Sequence, residues 1–346
     1  MNRPLTSWTR ATLAKLLGGV LEGEDASVLA LKEPLEATQN DLTCVLREQY
    51  LPAALESEAG VLVISELVKV PQARAAIRVA DIESAWVLLL RVFAPNLERS
   101  PGIHPSAVIH PTAILEDGVC IQALVVIARD AKVAKGCVIG AGSYLGERSS
   151  LGAACLIYPN VTILHDVQIG ARVLVQSGAV IGSDGFGFQR TADHQHIRQE
   201  QIGGVLIEDD VEIGVHTVID RGTLKTIRIG ARTKIGPACI IAHNSSVGSD
   251  SLLIGAVQLA GSVTIGDRVV MWGQVGSVGH VNVGNDSMVT AQSGISKDIP
   301  AGVTYRGSPA QPIRDQLRLE ANQREVGSLK EKLKALEAKI TRLESK

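Results

Sequence analysis

The sequence predicts a mainly β protein, a left-handed parallel β-helix flanked by a small N-terminal α/β domain and a C-terminal helical, coiled-coil tail. Three observations predict it. From Ile103 an aliphatic residue recurs at every sixth position fourteen times, through Ile109, Leu115, Ile121, Ile127, Val133, Ile139, Leu145, Leu151, Ile157, Ile163, Ile169 and Val175 to Ile181. The chain has 34 glycines and only 3% aromatic residues, which suits a narrow, tightly turned solenoid. Near the C-terminus, Val326, Leu329, Leu333, Leu336, Ile340 and Leu343 alternate spacings of three and four, the a/d seam of a coiled coil.

Residues 1–100 lie outside the six-residue period and read as α/β. Thr9 to Leu17 has a helical pattern, Gly60 to Ile64 reads as a buried strand, and Ile82 to Phe93 as an amphipathic helix; Pro95, Pro101 and Pro105 then punctuate the chain. The repeat occupies 101–305. With 45% of the chain hydrophobic, chance gives the fourteen-fold run at roughly one in 10⁵, so it is an internal repeat. Six residues are too few for a helical repeat unit; they suit short strands joined by tight turns, with the aliphatics stacked inside. The phase breaks after Ile181 in a polar, glycine-rich loop at 183–204. It resumes at Ile207, slips by four residues through Lys225 to Arg228, and runs on to Ile295 with Ser277 the single polar position. Residues 306–346 form the tail. So short an a/d helix is marginal alone, which points to self-association, and a triangular β-helix packs naturally about a threefold axis.

A net charge of −2 and few aromatics give no sign of nucleic-acid binding. Five cysteines, odd in number, read as free thiols in a reducing interior. The start, Met1 to Thr6, lacks an apolar leader and no stretch approaches a membrane span, so a cytoplasmic protein without integral membrane contact is expected.

Three hexads make one 18-residue coil rising about 4.8 Å. On that ruler His243, two places past the inward Ile241, points outward, Gly261 lies one coil above it, and His280 two coils up and one residue over. On position alone, two exposed turn histidines are the better explanation. A metal site of the kind found in β-helical carbonic anhydrases would need a histidine five residues after His280, where Asn285 stands, so no metal is expected. Imidazole as a general base is the better functional reading, with an open Gly261 N–H to hold an oxyanion. Ser245 is turned inward by the hexad, which speaks for direct transfer without a covalent acyl-enzyme.

At these residues the chain resembles the UDP-3-O-acylglucosamine N-acyltransferase (LpxD) family. The resemblance runs nearly end to end, through Leu13 to Gly23, Asp184-Gly185-Phe186-Gly187-Phe188, Val211 to Gly214, Ile219-Asp220-Arg221-Gly222, Ala242-His243-Asn244, Ala260-Gly261-Ser262, Gly279-His280 and Tyr305 to Ala310. It implies a homotrimer acting in lipid A synthesis, an acyl donor carried on the phosphopantetheine of acyl carrier protein, a UDP-linked amino sugar as acceptor and no other cofactor. It implies His243 as the base, Gly261 as oxyanion donor and His280 as a substrate-orienting partner. Substrate contacts would come from Arg47, Tyr50, Phe186, Phe188, Arg198, Gln201 and Asn244.

Four departures fall on the nucleotide and sugar side. Where the family has a uracil-stacking Phe, an Asn and a Tyr, this chain has Cys44, Arg47 and Tyr50. The family's Asn-Pro-Tyr becomes Ala80-Asp81-Ile82, its loop Trp-x-Lys-Ile-Pro-Gln becomes His196 to Gln201, and its Asp-Asn pair below the catalytic histidine becomes Gly236-Pro237. Losing a stacking aromatic costs about 1–3 kcal/mol per base, so the expectation is retained chemistry with altered acceptor recognition. Arg314 and Arg318 share a helical face, with Arg324 beyond, and are the expected docking site for the acidic carrier protein. Alternatives are a catalytically idle sugar-nucleotide-binding β-helix or an acetyl-CoA-dependent amino-sugar N-acetyltransferase.

Overall fold

The six-residue positions face inward. In the computed structural model, which describes residues 8–344 apart from 70, 72–73 and 95–99, every one from Ile121 to Ile181 and from Ile207 to Val289 and Ile295 is buried, with Ser277 half-buried. Pro95 and the first six residues lie outside the described residues. At the open end of the solenoid Ile103 is 51% exposed.

A second inward row, two residues before each aliphatic, is made of small residues. Its hydroxyls give their protons to carbonyls of the next coil: Ser143 to Tyr158 O at 3.0 Å, Thr217 to Gly236 O at 2.8 Å, Ser245 to Ala260 O at 2.8 Å. Polar atoms thus enter the core fully bonded. Successive coils pair in parallel at 18-residue register, as in Ile121↔Ile139↔Ile157, giving three sheets of 12, 9 and 10 strands. Most turns between sheets place one residue in the left-handed region, including Asp130, Asn160, Asn244 and His280. One column of these turn positions carries alternating charges, with bidentate pairs Arg172–Asp210, Arg232–Asp250 and Arg268–Asp286 at 2.6–2.8 Å.

Contacts divide the chain into two units, Met1–Glu98 and Arg99–Lys346. The first holds a five-stranded sheet in the order Val20–Glu22, Ala76–Val79, Val61–Ser65, Asp41–Cys44, Ala30–Leu31. Along Val61–Ser65, Val61 and Val63 enter one core with Leu13 and Leu89, while Leu62 and Ile64 enter another with Ala54. Covering both faces explains the unbroken apolar run. Helix Arg10–Leu16 is capped by Thr9 and helix Ile82–Phe93 by Asp81.

The chain closes in the helix Ile313–Glu344, whose a/d residues from Val326 to Leu343 are all more than half exposed. Among the described residues no helix is long and apolar enough to cross a membrane.

Candidate active site

The register builds a column at one corner of the prism. Ile163, Ile181, Ile219, Ile241 and Leu259 pair in sequence. Two residues beyond each stand His165, Ser183, Arg221, His243 and Gly261. His280 occupies the neighbouring turn position, exposed, with its backbone N–H on Gly261 O at 3.2 Å.

His243 is packed between two glycines. A Cβ on Gly261 would sit 2.6 Å from the ring Cε1 and 2.7 Å from Nε2; one on Gly185 would sit 2.4 Å from His243 Cβ and 2.8 Å from Cγ. Glycine is required at both for space. Equivalent turn N–H groups elsewhere are capped by side chains, as Ser249 N–H is by Asp267 at 2.7 Å and Asp267 N–H by Asn285 at 2.9 Å. Among the described residues none accepts from the Gly261 N–H, which leaves it open for a developing anion.

Asn244 fixes the ring. Its Oδ1 accepts from Thr223 N–H at 2.8 Å, so its Nδ2 faces Thr223 Oγ1 at 2.9 Å and His243 Nδ1 at 3.1 Å. An amide nitrogen only donates, so Nδ1 accepts and the neutral imidazole carries its proton on Nε2. Thr223 passes its hydroxyl proton to Gln201 Oε1 at 2.8 Å, and Gln201, 5% exposed, donates to Gln199 O. Gln201 and Asn244, expected as substrate contacts, therefore spend their polar groups inside the protein, on the chain that orients His243. Asp220 takes the His243 backbone N–H and the Ser183 hydroxyl at 2.8 Å; burial outweighs both bonds and raises its carboxyl. Ser245 is buried with its hydroxyl on Ala260 O, turned away from the His243 ring.

The loop at 183–204 forms a hairpin, Phe188–Arg190 against His196–Arg198. Phe186 and Phe188 stack edge to face on each other, centroids 5.0 Å apart, and Phe186 is 86% exposed; within one chain they do not line a closed cleft. Arg198 is ion-paired with Asp184. Beneath the loop Arg221 is 1% exposed. Neither Arg221 nor the Asn244–Thr223 link was expected to act; Arg221 stands 22 residues before His243, so an 18-residue count misses it by the four-residue slip.

The Gly236-Pro237 pair, expected below His243, belongs instead to the preceding corner, because six residues advance the chain by one face. In the N-terminal unit Arg47 and Tyr50 are exposed, and burial pushes the Cys44 thiol up to about 12. Asp81 is occupied in capping its helix through Ser84 and Glu83 N–H; the Ser84 hydroxyl, then these amides, lower its carboxyl. Arg314 and Arg318 are exposed near the start of the terminal helix. Among the described residues no three His, Cys, Asp or Glu side chains gather to hold a metal ion.

Two grooves adjoin this corner. One of about 600 Å³ runs along the outward ladder Ile240, Gln258, Gly276 and Gly294, past Ala242 and Ala260. Its floor drops to glycine as it leaves the His243 level. The other, about 370 Å³, is polar and lies between Lys225–Arg228 and Asn244, Thr264 and Asn285.

Three parallel sheets of six-residue units, with a histidine packed against an open glycine amide beside an apolar groove, define a hexapeptide-repeat β-helix. Residues 148–183 match the family model described as bacterial transferase hexapeptide (six repeats). The chain is 36% identical over 345 residues to the UDP-3-O-acylglucosamine N-acyltransferase of Anaeromyxobacter dehalogenans, covering 98% of both chains. It therefore belongs to the UDP-3-O-acylglucosamine N-acyltransferase family. The protein of that name from Wolinella succinogenes is 43% identical over 180 residues, 52% of this chain and 55% of that one. The Methylobacterium nodulans protein matches at 43% over 45% of this chain and 44% of its own length, so the chain spans about half the length of these two relatives. The crystal structure of the Arabidopsis UDP-N-acetylglucosamine acyltransferase superposes with a TM-score of 0.56 at 24% identity, over 61% of this chain and 73% of that one, a likeness of fold.

Proposed function

We propose that this protein moves a 3-hydroxyacyl chain from acyl carrier protein to the 2-amino group of a UDP-linked, 3-O-acylated glucosamine, in the lipid A route. The observation that carries the reading is His243, held against the open Gly261 N–H at the head of an apolar groove; the relatives' shared name supports the acceptor. The amine nitrogen attacks the thioester carbonyl while His243 takes the N–H proton. The carbonyl oxygen becomes an oxyanion received by the Gly261 N–H. Collapse breaks the C–S bond, and the imidazolium returns the proton to the departing pantetheine thiolate, leaving an amide and a free thiol. In the resting arrangement Nε2 carries a proton. Base action uses the other tautomer, at the expense of the Asn244 hydrogen bond, about 0.5–1.5 kcal/mol.

His280, two coils above on the same corner, serves to orient the acceptor. The apolar groove takes the acyl chain, Arg314 and Arg318 meet the acidic carrier protein, and the exposed a/d seam joins three copies. Leu333→Asp should lower the sedimentation coefficient; a wild type that already sediments as a monomer removes the trimer.

The test incubates the protein with 3-hydroxyacyl carrier protein and UDP-3-O-acylglucosamine and follows the product by mass spectrometry. N-acylated sugar nucleotide supports the reading. Absence of transfer to any nucleotide-linked amino sugar, with UDP-N-acetylglucosamine still raising the melting temperature, leaves a binding protein and overturns it.

A further inference from the structure

The Arg221 side chain reaches both ends of the loop, and acyl transfer as proposed gives it no part. Its Nε donates to Gly182 O at 2.8 Å, at the point where the loop leaves the solenoid. One terminal nitrogen donates to Gly203 O at 3.3 Å, where the loop returns, and to His165 Nε2 at 2.6 Å. The other donates to His165 O at 2.8 Å. The guanidinium is buried and faces one carboxylate of the loop, Asp184 Oδ1, at 3.6 Å. Asp184 is gripped from the solvent side by Arg198, on the returning strand of the hairpin. The residue after Asp184 is Gly185, whose backbone lies against the Cβ and ring of His243.

We propose that Arg221 is a positioning residue for His243: through Gly182, Gly203 and Asp184 it sets the height of the loop and so presses Gly185 onto the imidazole. The inference rests on the reading of His243 as the base. A lysine cannot reproduce the grip, because the two loop ends and the His165 carbonyl lie on different edges of one planar fork. Asp184 carries the contact from the buried side to the strand that closes the hairpin, so neutralising it loosens the loop without leaving Arg221's carbonyl partners unpaired. Gly185 then loses its register against the ring, and a ring free to swing by about 1 Å loses about 100-fold in rate.

The experiment uses the full-length protein and the variants Asp184→Asn and Arg221→Lys. Three readouts are taken: hydrogen exchange of 183–204, the His243 ring Cε1–H signal assigned with His243→Gln, and kcat and KM with 3-hydroxyacyl carrier protein and UDP-3-O-acylglucosamine. In Asp184→Asn the loop amides should exchange about tenfold faster, the His243 signal should shift or broaden, and kcat should fall about 100-fold with KM nearly unchanged. Asp184→Asn decides the matter if Arg221→Lys fails to fold. An unmoved His243 signal with unchanged loop exchange overturns the positioning role, whatever the activity. If His243→Gln transfers acyl groups as fast as the wild type, the base reading falls instead, while the ring signal and exchange still report whether Arg221 positions His243.

Discussion

Replacing Asn244 by aspartate tests the tautomer directly. The variant puts a carboxylate oxygen where the amide nitrogen now stands, 3.1 Å from His243 Nδ1. Thr223 N–H, now bonded to Oδ1 at 2.8 Å, keeps an acceptor, so the side chain stays in place. A carboxylate accepts where the amide donates, so the proton moves to Nδ1 and Nε2 becomes bare. An opposite charge at this range favours the imidazolium by about 1–3 pH units, and the lower half applies because the site is half open to water. The acid limb of kcat/KM, followed from pH 5 to 9 in the transfer assay, should move to higher pH by about one unit. On the alkaline plateau the rate should hold or rise by up to about tenfold, the worth of the hydrogen bond no longer broken. Asn244→Ala removes a bond made only to the neutral ring, so it should move the limb the same way but by less than the aspartate variant. An Asn244→Asp limb superimposable on the wild type would refute both the Nδ1 contact and His243 as the titrating base.

Gly261→Ala sets a methyl group within 2.7 Å of the His243 ring. It should cost about 1–3 kcal/mol of stability by overpacking, with transfer falling about 100-fold; calorimetry and the assay read both, and an alanine variant of full activity contradicts the packing. Gly276→Leu points into open groove, since a Cβ there meets nothing within 4 Å. Stability should change by less than about 0.5 kcal/mol, while long acyl donors lose kcat/KM and short ones keep it; equal loss for all lengths moves the acyl chain elsewhere. Arg172, Arg232 and Arg268 hold the Asp210, Asp250 and Asp286 carboxyls below their usual range. A carboxyl depressed in the native state stabilises above the unfolded value, about 3.9, and loses that contribution as pH falls through the native one. The Asp→Asn triple variant should therefore melt below the wild type at pH 7 and converge with it near pH 2; parallel curves would count against the ladder.

The solenoid was legible because one spacing persists across most of the chain and buries one aliphatic per hexad. His243, Gly261 and His280 could be aligned because no insertion lies between Ile241 and Ile295. Below Ile229 the ruler fails. The loop at 183–204 and the four-residue slip at 225–228 break the count, so Arg221 and His165 could not be put under His243 by arithmetic. Asn244 and Gln201 were expected as substrate contacts because the family resemblance implied it. Their true partner, Thr223, sits across the slip and is visible only in three dimensions. Cys137 and Cys155 are 18 residues apart, one full coil, and both thiols donate to carbonyls of the next turn at 3.0 Å. Asp81 marks the limit of reading departures as losses: it stands where a nucleotide contact was expected and caps a helix.

The central claim is that His243 supplies the base for acyl transfer. Single-turnover transfer by the wild type and His243→Ala, with donor and acceptor affinities measured in parallel, tests it most directly. The account predicts a loss of about 10²–10⁴-fold in rate with both affinities nearly unchanged. A His243→Ala protein that transfers the acyl chain at close to the wild-type rate would contradict it.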